Sequence, residues 1–204
     1  MPVTFIRGKG KTNKIVITGE RAERAALRDI LQKANFVTVG EARYGKQAVA
    51  LVRKYSPDLC LIDMDTTSGA LTAVRYISDE RLCPVLPIVS GNSASLFLLG
   101  KNTGVLACLN RAADAPLILS TVDIVLARWR EIQAMEKELS ELKETLETRK
   151  LIARAKGILS DKCSVTEAES YRLIQQYAMK HRVTMKAVAA KIIEDKDERI
   201  LKDE

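Results

Sequence analysis

Few side chains in this sequence are equipped for covalent or metal chemistry. There is one histidine, His181, so catalysis built on imidazoles has little to draw on. The four cysteines, Cys60, Cys83, Cys108 and Cys163, include no CxxC and no short spacing. That pattern is neither a disulfide framework nor a zinc site, and it suits a reducing cytoplasm. No metal site and no enzymatic activity are expected. The strong chemical signal is charge. Residues 1–14 hold Arg7, Lys9, Lys11 and Lys14 and no acid. Residues 150–192 hold nine basic side chains (Lys150, Arg154, Lys156, Lys162, Arg172, Lys180, Arg182, Lys186 and Lys191) against three acids, Asp161, Glu167 and Glu169. The last eleven residues swing back, with six acids and three bases. A compact basic segment suits a polyanionic partner, most simply nucleic acid. A solvated helical face would give the same pattern, and charge alone leaves both readings open.

Elements must position these groups. The chain has 204 residues, 47% apolar and 29% charged, with a net charge of +7, which is the composition of an ordinary globular protein and not of a disordered one. No apolar run reaches the roughly 18 residues of a membrane helix, and the first residues lack the apolar core of a secretory signal. Residues 15–128 alternate short apolar runs with amphipathic stretches. KIVIT (14–18), FVTVGEA (36–42), DLCLIDM (58–64), PVLPIVS (84–90) and GVLACLN (104–110) read as strands. Residues 21–34, 46–55, 71–79 and 93–102 read as helices. The spacing predicts an α/β fold, a doubly wound five-stranded parallel sheet covered on both faces, with ligand chemistry at the carboxyl ends of the strands. DLCLIDM is a continuous apolar run ending in acid, as a central parallel strand would be.

From Pro116, at the first turn of a helix, to Lys156 there is no further Gly or Pro, so one long helix is expected, ending near Leu159. Ile132, Met135, Leu139, Leu142 and Leu146 are spaced 3-4-3-4, a heptad seam that suits a parallel coiled-coil homodimer. Glu138 and Lys143 are complementary across such a seam, Glu131 and Glu136 are not, and Val125 and Trp129 join it only through a register break. A lone helix packed on its own domain is the alternative. A small helical unit follows. Ser164 or Thr166 caps a second helix with Glu167 or Glu169 three residues on, and Tyr171, Ile174 and Ala178, with Tyr177 beside them, form its apolar face. Thr184 caps a third, whose buried stripe is Met185, Val188, Ala189 and Ile192.

Residues 153–193, ARAKGILSDKCSVTEAESYRLIQQYAMKHRVTMKAVAAKII, resemble an ANTAR domain, the RNA-binding module of bacterial transcription antiterminators. The resemblance rests on Ala155-Lys156-Gly157 with Leu159, on Thr166-Glu167, Tyr171-Arg172-Leu173 and Ala178-Met179, and on Val188-Ala189 with Ile192. Ser170 stands where the family usually has alanine, and Gln175 and Gln176 where arginines are common. The first 115 residues resemble the receiver domain of response regulators. On that resemblance Asp63 is the phospho-acceptor position, Ser90 the conserved hydroxyl, and Arg111 stands in place of an essential lysine. The two acids that hold Mg²⁺ in the family are Thr18-Gly19 here, followed by Glu20. A hard cation needs clustered carboxylates, and Asp63 with Glu20 and Asp65 is a poor set, so Mg²⁺ is bound weakly at best and Asp63 is read as vestigial, with a phosphorylation-controlled response regulator of a two-component system as the alternative.

The resulting organisation is a basic tail (1–13), a receiver-like domain (14–115), a helical coiled-coil linker (116–150), a three-helix ANTAR-like domain (151–196) and an acidic tail (197–204). The resemblance implies a dimer that binds paired hairpins in an mRNA leader and precludes a terminator, with a sensor protein or histidine kinase as partner of the receiver-like domain. Arg154, Lys156, Gly157, Tyr171, Arg172, Gln175, Lys180, Lys186 and Lys191 are the RNA-binding candidates. Helix packing is the stronger reading for Ala155 and Gly157, RNA for Lys156, and both core and stacking roles stay open for Tyr171. Three rivals remain. A DNA-binding regulator is disfavoured by the ANTAR-like block. A phosphotransfer protein is disfavoured by the acids missing at 18–19 and the single histidine. A protein-interaction adaptor is excluded by nothing in the sequence.

Overall fold

The computed structural model describes residues 12–91 and 104–195, so the helix expected at 93–102, most of the basic tail and the acidic tail lie outside the described residues. The chain forms two compact units that divide between Gln133 and Ala134. In the first, β1 (Asn13–Thr18), α1 (Arg21–Lys33), β2 (Phe36–Ala42), α2 (Gly45–Tyr55), β3 (Leu59–Asp63), α3 (Ala70–Asp79), β4 (Val85–Val89) and β5 (Leu109–Asn110) follow one another, and α4 (Ala115–Cys163) begins. The strands form one parallel sheet in the order β2-β1-β3-β4-β5. This is the doubly wound five-stranded sheet expected from the alternating pattern.

Every residue of β3 and β4 is buried, because helices cover both faces. Successive side chains alternate between two cores. Leu59 and Leu61 pack with Leu31 of α1 and Ile118, Val122, Val125 and Leu126 of α4. Cys60 and Ile62 pack with Val52 of α2 and Ala73, Val74 and Ile77 of α3. The strand expected over 104–110 is shorter, since only Leu109 and Asn110 find ladder partners, on Ile88 and Val89. Leu106 and Ala107 instead fill the first core, and Val105 and Cys108 the second, as apolar side chains on irregular backbone.

The second unit holds the rest of α4, α5 (Glu167–His181) and α6 (Met185–Asp195). Ala155 and Leu159 of α4, Ile174 and Ala178 of α5, and Val188, Ala189 and Ile192 of α6 make its core, with Met185 half-buried at its edge. The long helix starts one residue before Pro116, where the Asp114 carboxylate accepts the Leu117 N–H at 3.0 Å, and it runs past Leu159 to Cys163. Ser164, with φ +52°, leaves the helix and caps nothing. Thr166 is the cap of α5: its hydroxyl accepts the Glu169 N–H, and Glu169 reaches back to the Thr166 N–H. Thr184 caps α6 by accepting the Ala187 N–H at 3.2 Å. No helix among the described residues is long and apolar enough to cross a membrane.

Candidate receiver site and nucleic-acid interface

The carboxyl ends of β1 and β3 meet where the strand order reverses, the crevice in which α/β folds place their ligands. Asp63 ends β3 there and is 2% exposed. Its Oδ1 accepts the backbone N–H groups of Asp65 and Thr66 at 2.9 and 3.1 Å and a hydrogen bond from Arg111 Nη2 at 2.6 Å. The same nitrogen donates to Asp65 Oδ2 at 3.1 Å, and Nη1 is held by Glu23 Oε1. One guanidinium therefore gathers three carboxylates. Ser90 hydrogen-bonds to Asp65 through both its N–H (2.9 Å) and its hydroxyl (2.7 Å), and not to Asp63.

Neither position where acids would hold a metal has a carboxylate to offer. Thr18 is fully buried, its Oγ1 accepting the Asp63 N–H at 3.2 Å and pairing with Thr67 Oγ1 at 3.0 Å. Gly19 has φ +133°, and a Cβ there would lie 3.1 Å from both Cβ and Oδ2 of Asp63. Glu20 is exposed at the start of α1, with no side-chain cap bond. The acid that α1 brings to the site is Glu23, one turn on. Its Oε2 is buried without a hydrogen-bond partner among the described residues, beside a cavity of about 170 Å³ walled by Ala26, Leu27, Ile30 and Ile118. These residues do not fit Mg²⁺, because all three nearby carboxylates are committed to Arg111 and a hydroxyl and a glycine fill the remaining places. The sequence reading missed Glu23, although it is the one acid in the first turn of α1.

The ANTAR-like unit presents a different surface. An open groove of about 620 Å³ is lined by Lys156, Glu167, Ala168, Tyr171, Arg172 and Gln175. Lys156 Nζ bonds Glu167 Oε1 at 2.5 Å and lies 6.0 Å from the centroid of the Tyr171 ring. Its side chain is 19% exposed and that of Glu167 78%. The hydrogen bond and charge of Lys156 hold the Glu167 carboxyl below the usual carboxylate range. Tyr171 is 42% exposed and belongs to the groove, not to the core. The core face of α5 runs through Ser170, Ile174 and Ala178, and the buried Ser170 donates its hydroxyl to the Thr166 carbonyl at 3.0 Å, so a small side chain takes the family's alanine position.

Gly157 corrects another expectation. A Cβ built there meets nothing within 4 Å, so no packing among the described residues requires the glycine, whereas Ala155 is fully buried. Arg154, Lys180, Lys186 and Lys191 are not walls of the groove. Arg154 lies two residues from Lys156 on one helix, a spacing that does not share a face. Lys186 pairs with Glu144 at 3.2 Å. Along α4, Met135, Leu139, Leu142 and Leu146 are 66%, 52%, 60% and 53% exposed, and Ile132 is half-buried. Val125 is buried in the first unit's own core and Trp129 is half-buried, so Val125 cannot extend the seam.

The ANTAR domain family matches residues 140–193. Over 181 residues, covering 88% of each chain, the sequence is 32% identical to the transcriptional regulatory protein PdtaR of Mycobacterium tuberculosis. It is 28% identical over 167 residues to the transcriptional regulatory protein YdfI of Bacillus subtilis, covering 72% of this chain and 78% of that one. Among solved structures, the signal receiver domain of a modulated diguanylate cyclase from Desulfovibrio desulfuricans superposes with a TM-score of 0.54 at 17% identity, covering 59% of this chain and 98% of that domain, a likeness of fold.

Proposed function

The chain belongs to the transcriptional regulators that join a receiver-like domain to a C-terminal ANTAR domain, and from that premise we propose that it is a dimeric RNA-binding antiterminator. The observation that carries the RNA reading is the groove of Lys156, Tyr171, Arg172 and Gln175. Unpaired RNA bases are bound by stacking and by contacts to their edges, with cations holding the phosphates. Lys156 and Arg172 are the cations, the half-exposed Tyr171 ring is the stacking surface, and the Gln175 amide can both donate and accept at a base edge. Paired hairpins in a leader transcript are the target that the family resemblance implies, and a bound pair would preclude the terminator hairpin. The exposed seam of α4 supports the dimer, because four apolar side chains at heptad spacing gain burial in a parallel coiled coil. Control passes through the receiver-like domain without phosphorylation of Asp63, since Arg111 already neutralises that carboxylate and the described residues hold no cluster that could bind a metal ion. A sensor protein that holds this domain is then its partner.

The test is a fluorescence titration of a double-hairpin RNA, against duplex DNA, over a range of salt. The RNA should bind tighter, and its affinity should fall steeply with salt as counterions are released. Replacing Lys156 and Arg172 together by alanine removes two contacts of on the order of 1 kcal/mol each, a loss of roughly thirtyfold. Arg154→Ala, outside the groove, should cost less than either. Equal binding of duplex DNA rejects the RNA reading and favours the DNA-binding regulator, and a folded double variant as tight as the parent rejects it and favours the adaptor.

A further inference from the structure

One of the two groove cations, Lys156, is already paired from within the chain. Lys156 is largely covered, with its ammonium drawn to Glu167 at 2.5 Å, while Glu167 stands at the open rim, mostly exposed. The two ends of this pair are therefore unequal: the lysine is built into the groove and the carboxylate is free to leave it. Glu167 is not needed for the α5 cap, which Thr166 and Glu169 complete by themselves. Beyond the pair lie Tyr171, Arg172 and Gln175, and on the preceding helix the open backbone at Gly157.

We propose that Glu167 is an intramolecular stand-in for an RNA phosphate. In free protein its carboxylate occupies the place on Lys156 that a phosphate oxygen takes when RNA is bound, and binding exchanges one anion for the other. This rests on the RNA reading of the groove and adds to it a residue that sets affinity and selectivity. An anion displaces Glu167 only when it arrives together with a base that stacks on Tyr171 and a second phosphate within reach of Arg172. Isolated phosphates and loosely held polyanions lack that combination, so they compete poorly with a carboxylate tethered at high effective concentration. The exchange also lowers the net gain from Lys156, since one ion pair is lost as another forms.

Glu167→Gln removes the stand-in's charge while keeping its length. In the full-length protein, this variant should bind the double-hairpin RNA roughly three- to tenfold tighter than the parent, which corresponds to the strength of an exposed ion pair plus relief of repulsion from the RNA. The dependence of log affinity on log salt should steepen by up to about one unit. Preference over an unstructured polyanion such as heparin should fall. In a Lys156→Gln background the same substitution should give only the smaller part of the gain that comes from relieved repulsion, because there is no ammonium to release. Circular dichroism verifies that α5 persists. An unchanged or weaker affinity of folded Glu167→Gln overturns the proposal while leaving RNA binding intact. An equal gain in the Lys156→Gln background also overturns it, as that would be a general effect of net charge. If parent and variant both fail to bind RNA at any salt, the RNA reading and this proposal fall together.

Discussion

Removing the Arg111 guanidinium tests the electrostatic account of the receiver-like site. Asp63 is 3% exposed at its side chain, and breaking a fully buried ion pair costs about 3–5 kcal/mol. Two features reduce that figure. Asp63 keeps the N–H groups of Asp65 and Thr66, and Arg111, Glu23 and Asp65 are 28%, 34% and 26% exposed, so water screens them. One feature raises it. Asp63 and Asp65 bind the same nitrogen, so their oxygens lie within about 6 Å of each other, and at that separation two bare charges repel by about 3 kcal/mol at an effective dielectric of 20. The balance is a loss of roughly 3 kcal/mol for Arg111→Met, which keeps much of the aliphatic stem and deletes the charge. In a unit of this size that lowers the melting temperature by roughly 10 °C. Arg111→Lys restores the charge but not the fork that reaches three carboxylates, and should recover part of the loss. Thermal unfolding by circular dichroism at neutral pH is the assay. If Arg111→Met melts within about 2 °C of the parent, the guanidinium is not what makes this acidic site tolerable, and the account of Asp63 as a neutralised acid is wrong.

The same account makes the protein resistant to small phosphodonors. After incubation with acetyl phosphate and Mg²⁺, intact-mass measurement should find the chain unmodified, and near-complete addition of a phosphoryl group at Asp63 would return the domain to ordinary receiver control. The seam on α4 is tested by replacing Leu139 and Leu142 with lysine, which places like charges across a parallel pair. Sedimentation equilibrium should show the parent as a dimer and the double variant as a monomer, and a variant that remains dimeric moves the interface off this helix.

The parts of the fold that the sequence reveals are those fixed by burial alone. β3 and β4 are legible because strands covered on both faces are apolar nearly throughout, with Asp63 at the end of β3 as the one exception. The long helix is legible because nothing between Leu117 and Lys156 interrupts it. Its end is not, because the chain leaves the helix at Ser164 in a left-handed conformation whose usual marker is glycine or asparagine. The α5 face illustrates a second limit. Tyr171-Ile174-Ala178 and Ser170-Ile174-Ala178 both fit a helical period, and hydrophobicity favours the tyrosine. Packing chooses the serine, because a small residue with its hydroxyl returned to the Thr166 carbonyl fits where a ring would not. The clamp on Arg111 was beyond reach for a different reason: its Glu23 arm lies 88 residues away, and only the closure of the sheet brings them together.

Charge counting has the same weakness, and it bears on how the RNA titration should be read. The segment 150–192 has nine bases and three acids, yet its cations are not all available to phosphate. Lys156 is held by Glu167, Lys150 by Glu147 at 2.9 Å, and Lys186 by Glu144 at 3.2 Å. Two of those three acids lie before residue 150, on the stretch of α4 that a window drawn around the basic cluster leaves out. Linear charge therefore overstates the field of the interface, since helical pairing three residues apart and packing against α6 import neutralising groups from outside the window. Each phosphate contact to single-stranded RNA contributes about 0.7 to the slope of log affinity against log salt. A groove that offers Lys156 and Arg172 per protomer should thus give a slope set by a few contacts in each half of a dimer. A slope approaching that of nine cations per chain would mean that the polyanion spreads over the whole basic surface, in which case the groove is one patch among several and Tyr171 is not the point at which bases are read.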